Sequence, residues 1–287
     1  MTVIRSDVLG FCMGVRRAVE IARSTGTAAA AAPAFKVFTL GPLIHNPRVL
    51  DELKNLGIES REELPDDLQG FILIIRAHGI GPQMEQALIK RGAMLIDASC
   101  PNVKKSQLTA EEFEKNGFRL FIAGEAGHAE ISALKAYAPS GIIVGNPDEA
   151  EIAAHHLFET DPRAKTALLA QTTIDEEEYH TIGDIIKKYF PATEIAHTIC
   201  SATRERQNSL RHLLKKVDAV IVAGGKTSAN TRRLAVIAAE RGIPHVLAES
   251  ASDIPPEFYK YDNIGISAGA STPDNVIEEI MQALTRN

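Results

Sequence analysis

Three cysteines, Cys12, Cys100 and Cys200, are the residues whose type and spacing first suggest chemistry, because each is followed by the same series of signals. An apolar run ends in glycine at Gly41, Gly124 and Gly224, twenty-nine residues after Cys12 and twenty-four after each of the other two. Four residues beyond each glycine stands a polar side chain at an expected helix start: His45, His128 and Ser228. A second apolar run then stops at a small polar cluster: Ala77-His78-Gly79, Gln171-Thr172-Thr173 and Ala270-Ser271-Thr272. These signals read as a threefold internal repeat of about ninety-five residues. Three copies about an axis would bring together sulfurs that lie far apart along the chain.

Taken singly, a cysteine is more often a small buried hydrophobe than a ligand; three at equivalent strand-to-helix turns reverse that reading. The count is odd and no two cysteines are closely spaced, so neither a disulfide framework nor a C-x-x-C motif applies. Three thiolates without a fourth match the incomplete ligation of a [4Fe–4S] cluster, which ordinarily takes four cysteines. The remaining iron would keep the open position that catalytic metal sites need. Zinc held by three cysteines and one histidine is the competing reading, since thiolates suit both metals. The number of spare histidines puts iron–sulfur ahead.

His45, His78 and His128 each stand in a glycine-containing loop at the end of a strand. One loop histidine is usually solvated surface. Three at equivalent places, joined by Ser228, Asn230 and Ser271, form a ring of donors suited to a phosphate or diphosphate, helped by helix N-termini. Glu130 breaks the symmetry, because the equivalent positions hold Pro47 and Asn230. A carboxyl group beside a bound ligand could serve as a general acid, with Thr172 relaying or positioning its proton. The plainer alternative is a first-turn glutamate favoured by the helix dipole. Gly224-Gly225-Lys226-Thr227-Ser228 resembles part of a Walker A loop, but Val220 occupies the place of its first glycine, so ATP binding is rejected.

The elements that must position these residues alternate strand and helix, which predicts an α/β fold with parallel sheets and right-handed crossovers. Sites in such sheets form at the carboxyl ends of the strands, where every residue named above lies. Expected units are 1–97, 98–196 and 197–287, with the residues up to Cys12 free to pack on the third. The spacing predicts helices at Val15–Arg23, Val103–Lys115 and Ala202–Lys216, and a thiol at a helix start has its thiolate favoured by the macrodipole. The alanine-rich run Thr27 to Pro33 is expected to be a helix end and loop. Hydrophobic content of 45% and charged content of 24% are those of a soluble globular chain. A net charge of -6 without a basic run argues against nucleic-acid binding. Apolar runs such as Phe71 to Ile75 are far too short to span a bilayer, and no secretory signal is visible at the N-terminus, so a cytoplasmic protein is expected.

Taken together, Gly10-Phe11-Cys12-Met13-Gly14, His45-Asn46, Ala77-His78-Gly79, Ala98-Ser99-Cys100-Pro101, Gly127-His128-Ala129-Glu130, Gln171-Thr172-Thr173, Ser228-Ala229-Asn230 and Ala268-Gly269-Ala270-Ser271 resemble the 4-hydroxy-3-methylbut-2-enyl diphosphate reductases of the non-mevalonate isoprenoid pathway. The motifs run in order from Cys12 to Ser271, nearly the whole chain. The resemblance implies a trefoil of three α/β units around a [4Fe–4S] cluster held by Cys12, Cys100 and Cys200. It implies an allylic hydroxyl bound at the open iron and a diphosphate among His45, His78, His128, Ser228, Ala229, Asn230 and Ser271. It further implies that Glu130 supplies the proton that lets water leave, aided by Thr172 and His128. Ferredoxin or flavodoxin would deliver two electrons singly, and the products would be isopentenyl and dimethylallyl diphosphates. The chemistry then reads as Lewis-acid iron for the leaving oxygen, cationic donors for the diphosphate and one carboxylic acid between them. One departure is visible: the family commonly has Ser-Ser-Asn where this chain has Ser228-Ala229-Asn230, which removes one hydroxyl from the diphosphate loop. Rival expectations are a non-redox hydro-lyase and a non-enzymatic iron–sulfur sensor or carrier.

Overall fold

A computed structural model describes residues 1–31 and 34–285. The chain starts with strand β1 (Thr2–Arg5) and helix α1 (Met13–Ala30), then runs through β2 (Lys36–Leu40), α2 (Pro47–Asn55), β3 (Ile58–Arg61), β4 (Phe71–Ile75), α3 (Pro82–Lys90) and β5 (Met94–Asp97). Next come α4 (Pro101–Lys115), β6 (Arg119–Ala123), α5 (Ala129–Tyr137), β7 (Ile142–Val144), α6 (Pro147–Thr160), β8 (Thr166–Ala170), α7 (Glu176–Tyr189) and β9 (Glu194–Ile195). The last stretch holds α8 (Ser201–Leu213), β10 (Ala219–Ala223), α9 (Ala229–Glu240), β11 (His245–Ala248), β12 (Asn263–Ala268) and α10 (Asp274–Thr285).

These strands make three four-stranded sheets, ordered β3-β2-β4-β5, β7-β6-β8-β9 and β11-β10-β12-β1. Every pairing is parallel. The order is the same each time, except that in the third sheet the fourth place is filled by the chain's first strand, with Val3 beside Ile264. The fold is α/β, in three units. Central strands such as β8 (Thr-Ala-Leu-Leu-Ala) and β10 (Ala-Val-Ile-Val-Ala) are buried at every residue, as parallel strands covered by helices on both faces must be. Among the described residues no helix is long and apolar enough to cross a membrane.

Each cysteine is the residue that caps the next helix, with an extended backbone at Cys12 (φ -74°, ψ 167°), Cys100 (φ -62°, ψ 133°) and Cys200 (φ -67°, ψ 134°). The helix it starts packs on the sheet that follows. Ala18, Val19 and Ala22 of α1 meet Val37 and Ile74, Ala110 of α4 meets Leu120 and Ile122, and Leu210 and Leu213 of α8 meet Val220 and Val222. This packing favours unit boundaries near Asp97 and His197, which we propose.

Some elements differ from expectation. Helix α1 continues to Ala30 rather than ending near Arg23, because Ala28, Ala29 and Ala30 are strong helix formers. The rest of the anticipated loop, Ala32 and Pro33, lies outside the described residues. Helices α4 and α8 begin directly after their cysteines, at Pro101 and Ser201, earlier than the apolar pattern indicates. Pro101 fits there, since the first helical position has no use for its missing N–H. Strand β3 was not foreseen: only Ile58 of its four residues is apolar and buried, and pairing with β2 makes it a strand.

Candidate active site

All twelve residues singled out from the sequence border one central cavity, which encloses about 780 Å³ of empty space, mouth included. That size suits a small-molecule ligand. The three thiols enter it from the starts of α1, α4 and α8, and all three are free and half-buried. The Val15 N–H donates to Cys12 Sγ at 3.4 Å, and Asn102 Nδ2 donates to Cys200 Sγ at 3.1 Å. Gly14 lies so close to Cys100 that a Cβ there would stand 2.5 Å from its Sγ. Only glycine lets α1 approach that sulfur. At Cys100 the helix start does not win: burial pushes the thiol up, the backbone N–H groups of Val103 and Asn102 pull it only partly back, and Cys12 and Cys200 push it up further. A coordinated metal would reverse this balance, since it deprotonates a bound thiol outright.

Among the described residues no three His, Cys, Asp or Glu side chains are placed to hold one metal ion.

The imidazoles come from the β2–α2 loop (His45), the turn after β4 (His78) and the cap of α5 (His128). Ring centroids of His45 and His78 are 5.6 Å apart, and those of His78 and His128 are 5.0 Å apart. His128 Nδ1 accepts a hydrogen bond from the Glu130 N–H at 3.2 Å, which leaves the ring hydrogen on Nε2. Burial lowers the proton affinity of all three rings, and His128 falls to about 4. Without a ligand they are therefore neutral near pH 7. Cationic donors therefore require a bound anion, because desolvation and the mutual repulsion of charges at His45, His78 and Arg76 keep the rings neutral without one.

Two of the residues lining the cavity carry buried polar atoms with no partner within the protein: His78 at Nδ1, and Asn230 at both side-chain atoms. Buried polar atoms are rarely left so, and here they border the cavity. Ser271 Oγ donates to Ser228 Oγ at 3.4 Å, and Ser228 caps α9. The N-termini of α2, α5 and α9 thus surround these groups, where backbone N–H groups favour an anion.

Glu130 is 1% exposed, on the first turn of α5. Its Oε1 accepts from the Thr172 N–H at 2.8 Å and its Oε2 from Thr172 Oγ1 at 2.9 Å. Burial raises the carboxyl to about 7, and the two bonds from Thr172 restrain the rise. A solvated first-turn glutamate would show neither property. This group can hold a proton at neutral pH and release it inside the cavity.

A family model described as LytB protein matches residues 3–285. The chain belongs to the LytB family. Similar proteins include the 4-hydroxy-3-methylbut-2-enyl diphosphate reductase of Treponema denticola, 39% identical over 289 residues and covering 99% of both chains. That of Desulfovibrio desulfuricans is 40% identical over 97% of both. Among solved structures, the E-1-hydroxy-2-methyl-but-2-enyl-4-diphosphate reductase of Plasmodium falciparum superposes with a TM-score of 0.92 at 28% identity, covering 99% of this chain and 88% of that one. Membership makes this chain an enzyme, an oxidoreductase of isoprenoid biosynthesis, and rules out the sensor or carrier reading.

Ala229, the departure in the diphosphate loop, is 8% exposed on the cavity wall, at the first position of α9. Sequence reasoning missed two neighbours of the site. Asn102 touches Cys200, and its only signal was its place two residues past Cys100. Arg76 lies immediately before Ala77-His78 and is near enough to lower the proton affinity of His45, His78 and His128.

Proposed function

We propose that this enzyme carries out the reductive dehydroxylation of 4-hydroxy-3-methylbut-2-enyl diphosphate to isopentenyl and dimethylallyl diphosphates. Two electrons and two protons enter, the allylic C–O bond breaks, and the oxygen leaves as water. The observation that carries the reading is the buried Glu130 carboxyl, protonated up to about pH 7, on the same cavity wall system as three free thiols and a set of unpartnered donors.

Cys12, Cys100 and Cys200 would hold a [4Fe–4S] cluster, which when bound would supply electrons one at a time and, at its open iron, a Lewis acid for the departing hydroxyl. Glu130 gives its proton to that oxygen, and the Thr172 N–H and Oγ1 then stabilise the carboxylate left behind. The neutral His128, with its hydrogen on Nε2, donates into the cavity. His45, His78, Ser228, Asn230, Ser271 and the Ala229 N–H receive the diphosphate, assisted by the helix starts. The anion raises the proton affinity of the imidazoles it meets, so binding takes up protons. Ferredoxin or flavodoxin is the donor we favour, and the chain's free thiols suit the reducing cytoplasm.

The test is product analysis under anaerobic conditions, with substrate and with or without a one-electron reductant. Both allylic and homoallylic diphosphates should form only when the reductant is present. A hydration or dehydration product formed without reductant would contradict this reading.

A further inference from the structure

Six residues past the three cysteines stand Ala18, Ser106 and Arg206, at matching places on α1, α4 and α8. All are buried, with exposures of 0%, 1% and 2%. Two units fill the position with a small side chain, and the third fills it with a guanidinium. Arg206 Nη1 donates to the Ala268 carbonyl at 2.6 Å and Nη2 to the Gly10 carbonyl at 2.9 Å, while Nε has no partner. Among the described residues no carboxylate pairs with it.

A buried cation without a counter-ion costs several kcal/mol, and guanidinium does not escape by losing its proton. The sister units show that a small residue can occupy this place. Its guanidinium reaches the backbone two residues before Cys12, and negative charge at Cys12 and Cys200 would favour the cation against the opposing effect of burial. We propose that Arg206 is the fixed counter-charge of the thiolate-held iron–sulfur cofactor and raises its reduction potential. The inference rests on the reading of the three cysteines as ligands. A fixed positive charge, buried and so little screened by salt, stabilises the reduced and more negative state over the oxidised one. The same side chain ties Gly10, two residues before Cys12, to the end of β12, which is the purely structural role the test must separate.

Wild type, R206K and R206Q would be reconstituted anaerobically, assayed for iron and sulfide, and titrated potentiometrically by their visible absorbance. R206Q should keep its iron and sulfide and become at least tenfold harder to reduce, about 59 mV for a one-electron couple. R206K keeps the charge and breaks the fork to the two carbonyls, so its Tm should fall while its potential stays near wild type. An R206Q protein with full iron and sulfide at the wild-type potential would overturn the proposal. If R206Q does not fold, R206M takes its place: a lower potential at full iron and sulfide supports the proposal, and the wild-type potential overturns it. Wild type that binds no iron and sulfide would refute the ligand reading itself, a failure visible in the parent protein before any variant is compared.

Discussion

The second and third units share a sheet order and a cysteine-capped helix, yet six residues past the glycine that ends the central strand one presents Glu130 and the other Asn230. Both side chains are buried, and both border the same cavity. Thr172 satisfies both oxygens of Glu130, whereas neither side-chain atom of Asn230 has a protein partner. A buried group with its bonds completed inside the protein can store a proton; one left open is arranged for a ligand. The repeat builds the cavity, and departures from the repeat assign the work within it. Arg206 extends the same lesson to the cysteine helices.

The strongest way to break this contrast is E130Q, which makes the second unit as neutral as the third while leaving the packing nearly unchanged. Turnover should fall by about 10²–10⁴-fold, the range for loss of a general acid, with iron content and visible spectrum unaltered. Retained turnover would move the proton donor elsewhere.

A smaller effect is expected in stability. The Glu130 carboxyl titrates at about 7 when folded and at about 4.3 in an unfolded chain. Between those values the folded state holds a proton that the unfolded state has released, so stability contributed by this group is present at low pH and is lost as pH rises toward 7. The buried histidines act in the opposite direction over the acidic part of that range, because their folded proton affinity is lowered. Comparing wild type with E130Q cancels them. Urea unfolding at pH 5 and pH 8 should show the wild type losing up to about 3 kcal/mol relative to the variant. A flat difference would mean that Glu130 carries its charge at neutral pH.

The smallest expected effect is at Ala229. Replacing it by serine restores a hydroxyl beside Ser228 and Asn230 and should tighten inorganic diphosphate binding by about 0.5–1.5 kcal/mol in calorimetry, the net value of one hydrogen bond. No change in affinity would show that position 229 does not face the anion.

Much of this arrangement was legible in the sequence because its signals are local and repeated. Glycines at Gly41, Gly124 and Gly224 punctuate apolar strands, and the same beat locates the cysteines, the histidines and Glu130. Strand β3 was not legible, because Glu59, Ser60 and Arg61 carry no apolar alternation and the strand exists through its pairing with β2. The length of α1 was misjudged because an alanine run reads equally as helix or low-complexity loop. The neutrality of His45, His78 and His128, the raised carboxyl of Glu130 and the isolation of Arg206 all follow from burial, which only the folded chain defines.

The central claim is that three sulfurs remote along the chain grip one iron–sulfur cofactor. Anaerobic purification followed by iron and acid-labile sulfide analysis tests it most directly, repeated on Cys12→Ser, Cys100→Ser and Cys200→Ser. The account predicts about four iron and about four sulfide per wild-type chain, with loss in each variant. Zinc without sulfide, or a full complement of iron and sulfide in any one of the three variants, would contradict it.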